Sequence, residues 1–209
     1  MILNNKVTIV DFGMGNLKSV YNAFKYLGCE VAITSEPKIV EHSQRVVLPG
    51  VGSFRLAMDR LNQTGMTSAL KKTIEKKNAK ILGICLGLQL IGRMSTEDGL
   101  TQGLNFVEGD VEKFSPSALQ PYKIPHVGFN SVTFKSESIL FNGLSSPADF
   151  YFTHSYRMKQ CESAELTAST THGEQFVAAI EAGNVFATQF HPEKSQSNGL
   201  VVLKNFVDC

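Results

Sequence analysis

The chain has 209 residues, 43% of them hydrophobic, and a formal net charge of +1 from 20 Lys and Arg against 19 Asp and Glu, which suits a single domain over residues 1–209 with a sizeable core. Charge this balanced and dispersed supplies no basic footprint for nucleic acid or an anionic membrane surface, and the dense group Lys71, Lys72, Lys76, Lys77 and Lys80 reads as the solvated face of a helix. Cys29, Cys85, Cys161 and Cys209 show no paired spacing, and Met1 to Lys6 is polar and leads into a strand without a signal-peptide core or a bilayer-length apolar run, so neither zinc, disulfides nor membrane is expected and a cytoplasmic location is.

In chain order, the first half alternates short β-rich runs with helical patterns. Val7 to Phe12 reads as a strand, and Leu17, Val20, Phe24 and Leu27 then form an apolar helical stripe. Glu30 to Thr34 and Arg45 to Leu48 are the next strands, Ser53 to Leu61 and Met66 to Lys77 the next helices, and Ala79 to Ile84 a further strand. This alternation predicts an α/β fold with a mostly parallel sheet and crossover helices. After about residue 104 the runs Val127 to Phe134, Asp149 to Met158, Leu166 to Thr171, Phe176 to Ala182 and Val185 to Phe190 predict a mixed or antiparallel extension of that sheet. A helix over Gly199 to Val207 closes the chain.

Chemistry concentrates at three turns. Gly83-Ile84-Cys85-Leu86-Gly87 places one cysteine between glycines where a strand gives way to a helix. Glycines there permit a tight turn that exposes the side chain, and the first helical NH groups favour a thiolate. In Gln189-Phe190-His191-Pro192-Glu193-Lys194, proline holds His191 extended, so that His191 and Glu193, two residues apart, point the same way. A carboxylate beside an imidazole fixes its tautomer and stabilises its charged form, which makes Cys85, His191 and Glu193 a candidate nucleophile, base and orienter. Pro49-Gly50-Val51-Gly52-Ser53-Phe54 follows a strand, and its backbone NH groups at Val51 and Gly52 are assigned, with that of Leu86, to an oxyanion hole.

These elements, in this order, resemble the class I (triad) glutamine amidotransferases, which have a flavodoxin-like fold, and within them the glutaminase subunits of imidazole glycerol phosphate synthase. The resemblance also rests on Asp11-Phe12-Gly13-Met14-Gly15-Asn16, on Ile124-Pro125-His126-Val127-Gly128-Phe129-Asn130 and on Tyr151-Phe152-Thr153-His154-Ser155-Tyr156, and it runs nearly end to end. It implies that Cys85 attacks the glutamine amide, that His191 protonates the leaving ammonia, and that Glu193 holds His191. It further implies that Gly50, Gly52, Gln89, Glu97, Ser155 and Tyr156 bind glutamine, with Glu97 facing the α-ammonium group. The chain has no length left for an acceptor-substrate domain, so the family's partner, a (β/α)8-barrel synthase, is expected to form a heterodimer with it. That partner joins ammonia to a phosphoribosyl-formimino ribonucleotide, giving imidazole glycerol phosphate for histidine synthesis and an aminoimidazole carboxamide ribotide. The implied docking face includes Asn16, Phe129, Tyr151, His154 and Lys194, with Lys194 near the ammonia exit. Position 129 is usually tryptophan in the family, and Phe129 keeps the apolar area without the indole donor.

Two patterns are rejected. Gly13-Met14-Gly15 lacks the third glycine of a dinucleotide site, since Lys18 stands there, and no cofactor is expected. His42, His126, His154 and His172 form no short-spaced ligand set, and no metal is expected. Three alternatives remain open to the sequence: a paralogous glutaminase serving surface-sugar amidotransfer, a stand-alone cysteine hydrolase, and a non-catalytic regulatory subunit.

Overall fold

In the computed structural model, which describes residues 5–115 and 122–209, the alternation of the first half becomes β1 (Lys6–Val10), α1 (Leu17–Tyr26), β2 (Glu30–Thr34), α2 (Pro37–Glu41), β3 (Arg45–Gly50), α3 (Phe54–Gln63), α4 (Met66–Ile74), β4 (Lys80–Cys85) and α5 (Leu86–Ile91). Of the polar start Met1 to Lys6, residues 1–4 lie outside the described residues. The remainder forms β5 (Met94–Ser95), β6 (Thr101–Gln102), β7 (Asp110–Lys113), β8 (His126–Val132), β9 (Ala148–His154), β10 (Tyr156–Met158), β11 (Leu166–His172), β12 (Glu174–Ala182), β13 (Val185–Thr188) and α6 (Gln196–Asp208).

The central sheet has seven strands in the order β11-β12-β13-β4-β3-β1-β2. Strands β2, β1, β3, β4 and β13 run parallel, and β12 and β11 add to the β13 edge antiparallel. Side chains alternate across this sheet, as the pleat requires. Val7, Ile9, Val47, Leu82 and Ile84 join Phe24 of α1 and Phe206 of α6 in one core layer. Val10, Val46, Leu48 and Ile81 join Phe54 of α3 and Leu70 of α4 in the other. The stripe read on α1 is the buried one, with Val20 and Phe24 facing the sheet. Buried on every side, α5 sits over the carboxyl ends of β3 and β4.

The second half departs from a simple extension of the sheet. Only β11, β12 and β13 join it; β8 and β9 form a separate two-stranded sheet, and β10, β7, β5 and β6 a four-stranded one. The run Asp149 to Met158 is therefore two strands broken at Ser155. At the break the Tyr156 carbonyl accepts from His154 Nδ1 at 2.8 Å and, across the fold, from Gln89 Nε2 at 2.9 Å, which turns the chain out of one sheet and into the other. The lysine group also divides, because α4 stops at Ile74 and Lys80 begins β4.

Parallel order β2-β1-β3-β4-β13 reverses direction of winding at β1, and ligands on such sheets bind beyond the carboxyl ends of the strands near that point. The segment 49–54 follows β3, Cys85 ends β4, and His191 lies just past β13. All three turns of interest thus open on one edge of the sheet.

Candidate active site

Register sets the first contact. In the β3–β4 ladder Gly50 pairs with Cys85, so the turn that begins at Gly50 starts beside the sulfur. Cys85 is both the last residue of β4 and the N-cap of α5, with φ 55° and ψ −103°. A side-chain-bearing residue at such angles is strained, as nucleophiles on a strand-to-helix elbow are. The flanking glycines serve a different purpose from the one read in the sequence. Neither has a positive φ; instead, a Cβ on Gly83 would stand 2.7 Å from the Gly87 backbone, and one on Gly87 would collide with the Leu48 carbonyl. Their role is to let α5 pack flush on β3 and β4, and the unusual dihedral falls on Cys85 itself.

His191 is extended, at φ −96° and ψ 96°, as proline at position 192 requires. Glu193 reaches it through a 3-10 turn over Pro192–Lys194, not along an extended chain, and the imidazole Nδ1 and the carboxylate Oε1 meet at 2.8 Å. Both side chains are nearly inaccessible, at 3% and 2%. With Nδ1–H donating to the carboxylate, Nε2 is left as the exchangeable position; it has no hydrogen-bond partner among the described residues. Burial opposes charge on this ring, but the neighbouring Cys85 and then Glu193 outweigh it and push His191 up to about 10. The arrangement favours the imidazolium form of His191.

A cavity of about 400 Å³ opens at the sulfur, walled by Val51, Gly52, Cys85, Leu86, Gln89, Glu97, Thr153, Ser155 and Tyr156. It gathers the residues that the sequence assigned to substrate and oxyanion with one exception: Gly50 is buried in β3 and does not reach the wall. Gly52 adopts φ +108°, open to glycine, and Met14 of the loop after β1 packs against it. Glu97 is half-buried and held, its Oε2 accepting from the Phe54 NH at 2.9 Å. Burial raises its carboxyl above the usual range, the Phe54 hydrogen bond opposing and Asp98 adding.

Phe129 and Tyr151 are cross-strand partners, their rings edge to face at 5.6 Å, and Lys194 Nζ lies 5.7 Å from the Tyr151 ring centre. Phe129 and Val127 are half exposed, and Asn16 is exposed ahead of α1. His154, also expected on the docking face, is 7% accessible in this chain, with Nε2 3.0 Å from His126 Nδ1, and it is among the residues lining the cavity. Hydrogen-bonding demand drew it inward, since the Tyr156 carbonyl and His126 satisfy both its nitrogens.

Sequence reasoning missed Thr153, whose carbonyl lies 3.9 Å from Cys85 Sγ, and the stacking of His172 on His126 at 4.2 Å. Neither had a signal, because a backbone carbonyl is the same in every residue and the two histidines come from different sheets. Gln189 opens the motif Gln189 to Lys194, whose spacing by itself assigns it no role.

The chain matches the family described as glutamine amidotransferase class-I over residues 8–209. It is 43% identical over 204 residues to the imidazole glycerol phosphate synthase subunit HisH of Chlorobium luteolum, covering 97% of this chain and 100% of that one. Similar figures hold for HisH of Geobacter sulfurreducens, 42% over 205 residues with 96% and 97% covered, and for HisH 1 of Campylobacter jejuni, 41% over 201 residues with 96% and 98% covered. Among solved structures, a glutamine amidotransferase superposes with a TM-score of 0.75 at 18% identity, covering 97% of both chains. Another, from Thermotoga maritima, superposes at 0.62 and 15%, covering 97% of this chain and 80% of that one; at such identities the likeness speaks for the fold. The chain therefore belongs to the class I glutamine amidotransferases and, within them, to the imidazole glycerol phosphate synthase HisH subunits.

Proposed function

We propose that Cys85, His191 and Glu193 form the triad with which this glutaminase subunit opens the side-chain amide of glutamine. Glutamine enters the cavity with its amide at Cys85, and the sulfur attacks the amide carbon. Negative charge on the resulting tetrahedral oxygen is met by backbone NH groups at Val51 or Gly52 and at Leu86. His191 passes its Nε2 proton to the nitrogen, ammonia departs, and a thioester remains on Cys85. Water, deprotonated by His191, then attacks the thioester and releases glutamate and the sulfur. Glu193 keeps the imidazole in the tautomer both half-reactions need. Gln89, Ser155 and Tyr156 position the substrate, and Glu97 offers a half-buried carboxylate to its α-ammonium group.

As a subunit of a synthase, the chain hands its product on. Ammonia released into neutral water is mostly protonated and loses its nucleophilicity, so transfer requires a sheltered path into the partner. The proposed partner is a (β/α)8-barrel synthase of histidine biosynthesis, docked over Asn16, Phe129, Tyr151 and Lys194, and the proposed location is the cytoplasm. The observation that carries the catalytic reading is the convergence of Cys85, His191 and Glu193, drawn from two strand ends, on one electrostatic cluster. Glutamate release by the purified chain, alone and with a histidine-pathway synthase barrel and its nucleotide ligand, tests it. A large rise with the partner supports a gated ammonia donor. Equal rates with and without the barrel would overturn the partnership, and no release in either case would overturn the catalytic assignment.

A further inference from the structure

Gln189 is wholly inaccessible. A side-chain amide in such a place loses its water and must find protein partners, or its burial is strongly unfavourable. Its partners are unusual ones. Nε2 lies 3.7 Å from Cys85 Sγ, and Oε1 lies 3.2 Å from Gln89 Nε2. Gln89 Nε2 in turn donates to the Tyr156 carbonyl at 2.9 Å.

The direction of this chain follows from chemistry. A carbonyl only accepts, so Gln89 must turn its NH2 towards Tyr156, and the same NH2 then faces Gln189. Gln189 must answer with its oxygen, which leaves its own NH2 towards the sulfur. An N–H donor beside sulfur stabilises thiolate over thiol, whereas the Thr153 carbonyl at 3.9 Å accepts only from the thiol. The Gln189 backbone is itself pinned, its NH donating to the Ala178 carbonyl at 2.8 Å, so the amide approaches the sulfur from a fixed strand end.

We infer that Gln189 is a positioning residue that holds Cys85 Sγ in its attacking state and ties it, through Gln89, to the wall of the substrate cavity. This deepens the glutaminase reading and rests on it for the identity of the substrate. Because Gln189 fixes the NH2 end of Gln89, the Gln89 oxygen stays free for the substrate, and removal of Gln189 loosens nucleophile and recognition together.

The test separates the two readings, because alkylation of Cys85 by iodoacetamide needs no glutamine. Cys29, Cys161 and Cys209 are also free thiols, so the rate is followed on the Cys85 peptide by mass spectrometry from pH 5 to 9. Gln189→Met keeps the volume and removes both polar atoms; Gln189→Glu keeps an oxygen for Gln89 and turns a second acceptor on the sulfur. Alkylation at pH 7 is expected to fall about tenfold in Gln189→Met, the scale of one hydrogen bond to a charged group, and further in Gln189→Glu, with both curves displaced to higher pH. The KM for glutamine is expected to rise in Gln189→Met more than in Gln189→Glu. Alkylation curves that superpose on the parent's overturn the inference, and if only one variant folds, its curve decides. In the unmodified chain the Gln189 side-chain NH2 resonance is expected to titrate in step with Cys85 alkylation; a resonance indifferent to pH overturns the inference without any variant. Displaced curves in a chain that releases no glutamate either alone or with the synthase barrel would leave this inference standing and remove the glutaminase reading.

Discussion

His191 Nδ1 and Glu193 Oε1 meet at 2.8 Å with both side chains out of water, and the turn that joins them is a single 3-10 turn opened by Pro192. The His191 NH donates to the Tyr151 carbonyl at 2.8 Å, and Ser195 Oγ bridges the His191 carbonyl and the Tyr151 NH. The His191 backbone is thereby bonded to β9 at Tyr151, whose cross-strand partner is Phe129.

Removing the nucleophile separates the two activities of the complex. Cys85→Ala is expected to lower glutamine hydrolysis by at least about 10³-fold while synthesis supplied with ammonia stays near normal. The same variant removes the main influence raising His191, so its ring is expected to titrate well below about 10, measured by NMR. Retained glutamate release would sink the nucleophile assignment.

Glu193→Gln should preserve the fold and lower turnover by about 10²-fold or more, since a neutral amide neither enforces the Nδ1–H tautomer nor balances the imidazolium. Labelling of Cys85 by a glutamine-like electrophile is expected to persist. Loss of labelling together with loss of circular dichroism would point to unfolding instead.

Acid is expected to weaken the fold through the buried histidines. Burial pushes His126 down to about 4, with the charge of His172 adding, and burial pushes His154 down to about 3 against the pull of the Tyr156 carbonyl. An unfolded histidine takes its proton near 6.5, so between about 6.5 and 4 the unfolded chain binds more protons and stability is lost as the pH is lowered. The contribution is complete above about 6.5. Urea midpoints from pH 7 to 4 should show this slope, and His126→Gln should flatten it; a slope unchanged by the variant would assign the acid sensitivity elsewhere.

Gly87→Ala is expected to destabilise by about 3 kcal/mol or more, because the added methyl meets the Leu48 carbonyl and backbone cannot rotate away as a side chain can. Chemical denaturation checks it. A loss below about 1 kcal/mol would mean that α5 shifts freely on the sheet.

Phe129→Ala should leave the thermal midpoint unchanged, since the ring is half exposed, and weaken binding to the synthase barrel by about tenfold or more if it anchors the interface. Isothermal titration of chain into barrel reads this directly, and an unaltered affinity would place the docking surface elsewhere.

Much of the molecule was legible in its residues. Apolar runs of four to six residues and the stripe Leu17, Val20, Phe24, Leu27 sufficed for the strands and first helix, because burial of one helix face and both sheet faces imposes those periods on any chain that folds this way. Cys85, His191 and Glu193 stand out as candidates for a related reason: each sits in a short motif whose local backbone, an elbow or a proline turn, is a property of neighbouring residues. Tertiary structure alone decided what depended on distant segments meeting. It split Asp149 to Met158 at Ser155 by offering Gln89 to the Tyr156 carbonyl, drew His154 inside onto His126, made Gly83 and Gly87 a matter of helix contact, and set Gln189 between Cys85 and Gln89. Partners separated by tens of residues leave no period or spacing in a sequence, and the hydrogen bonds that join them exist only once the sheets have packed.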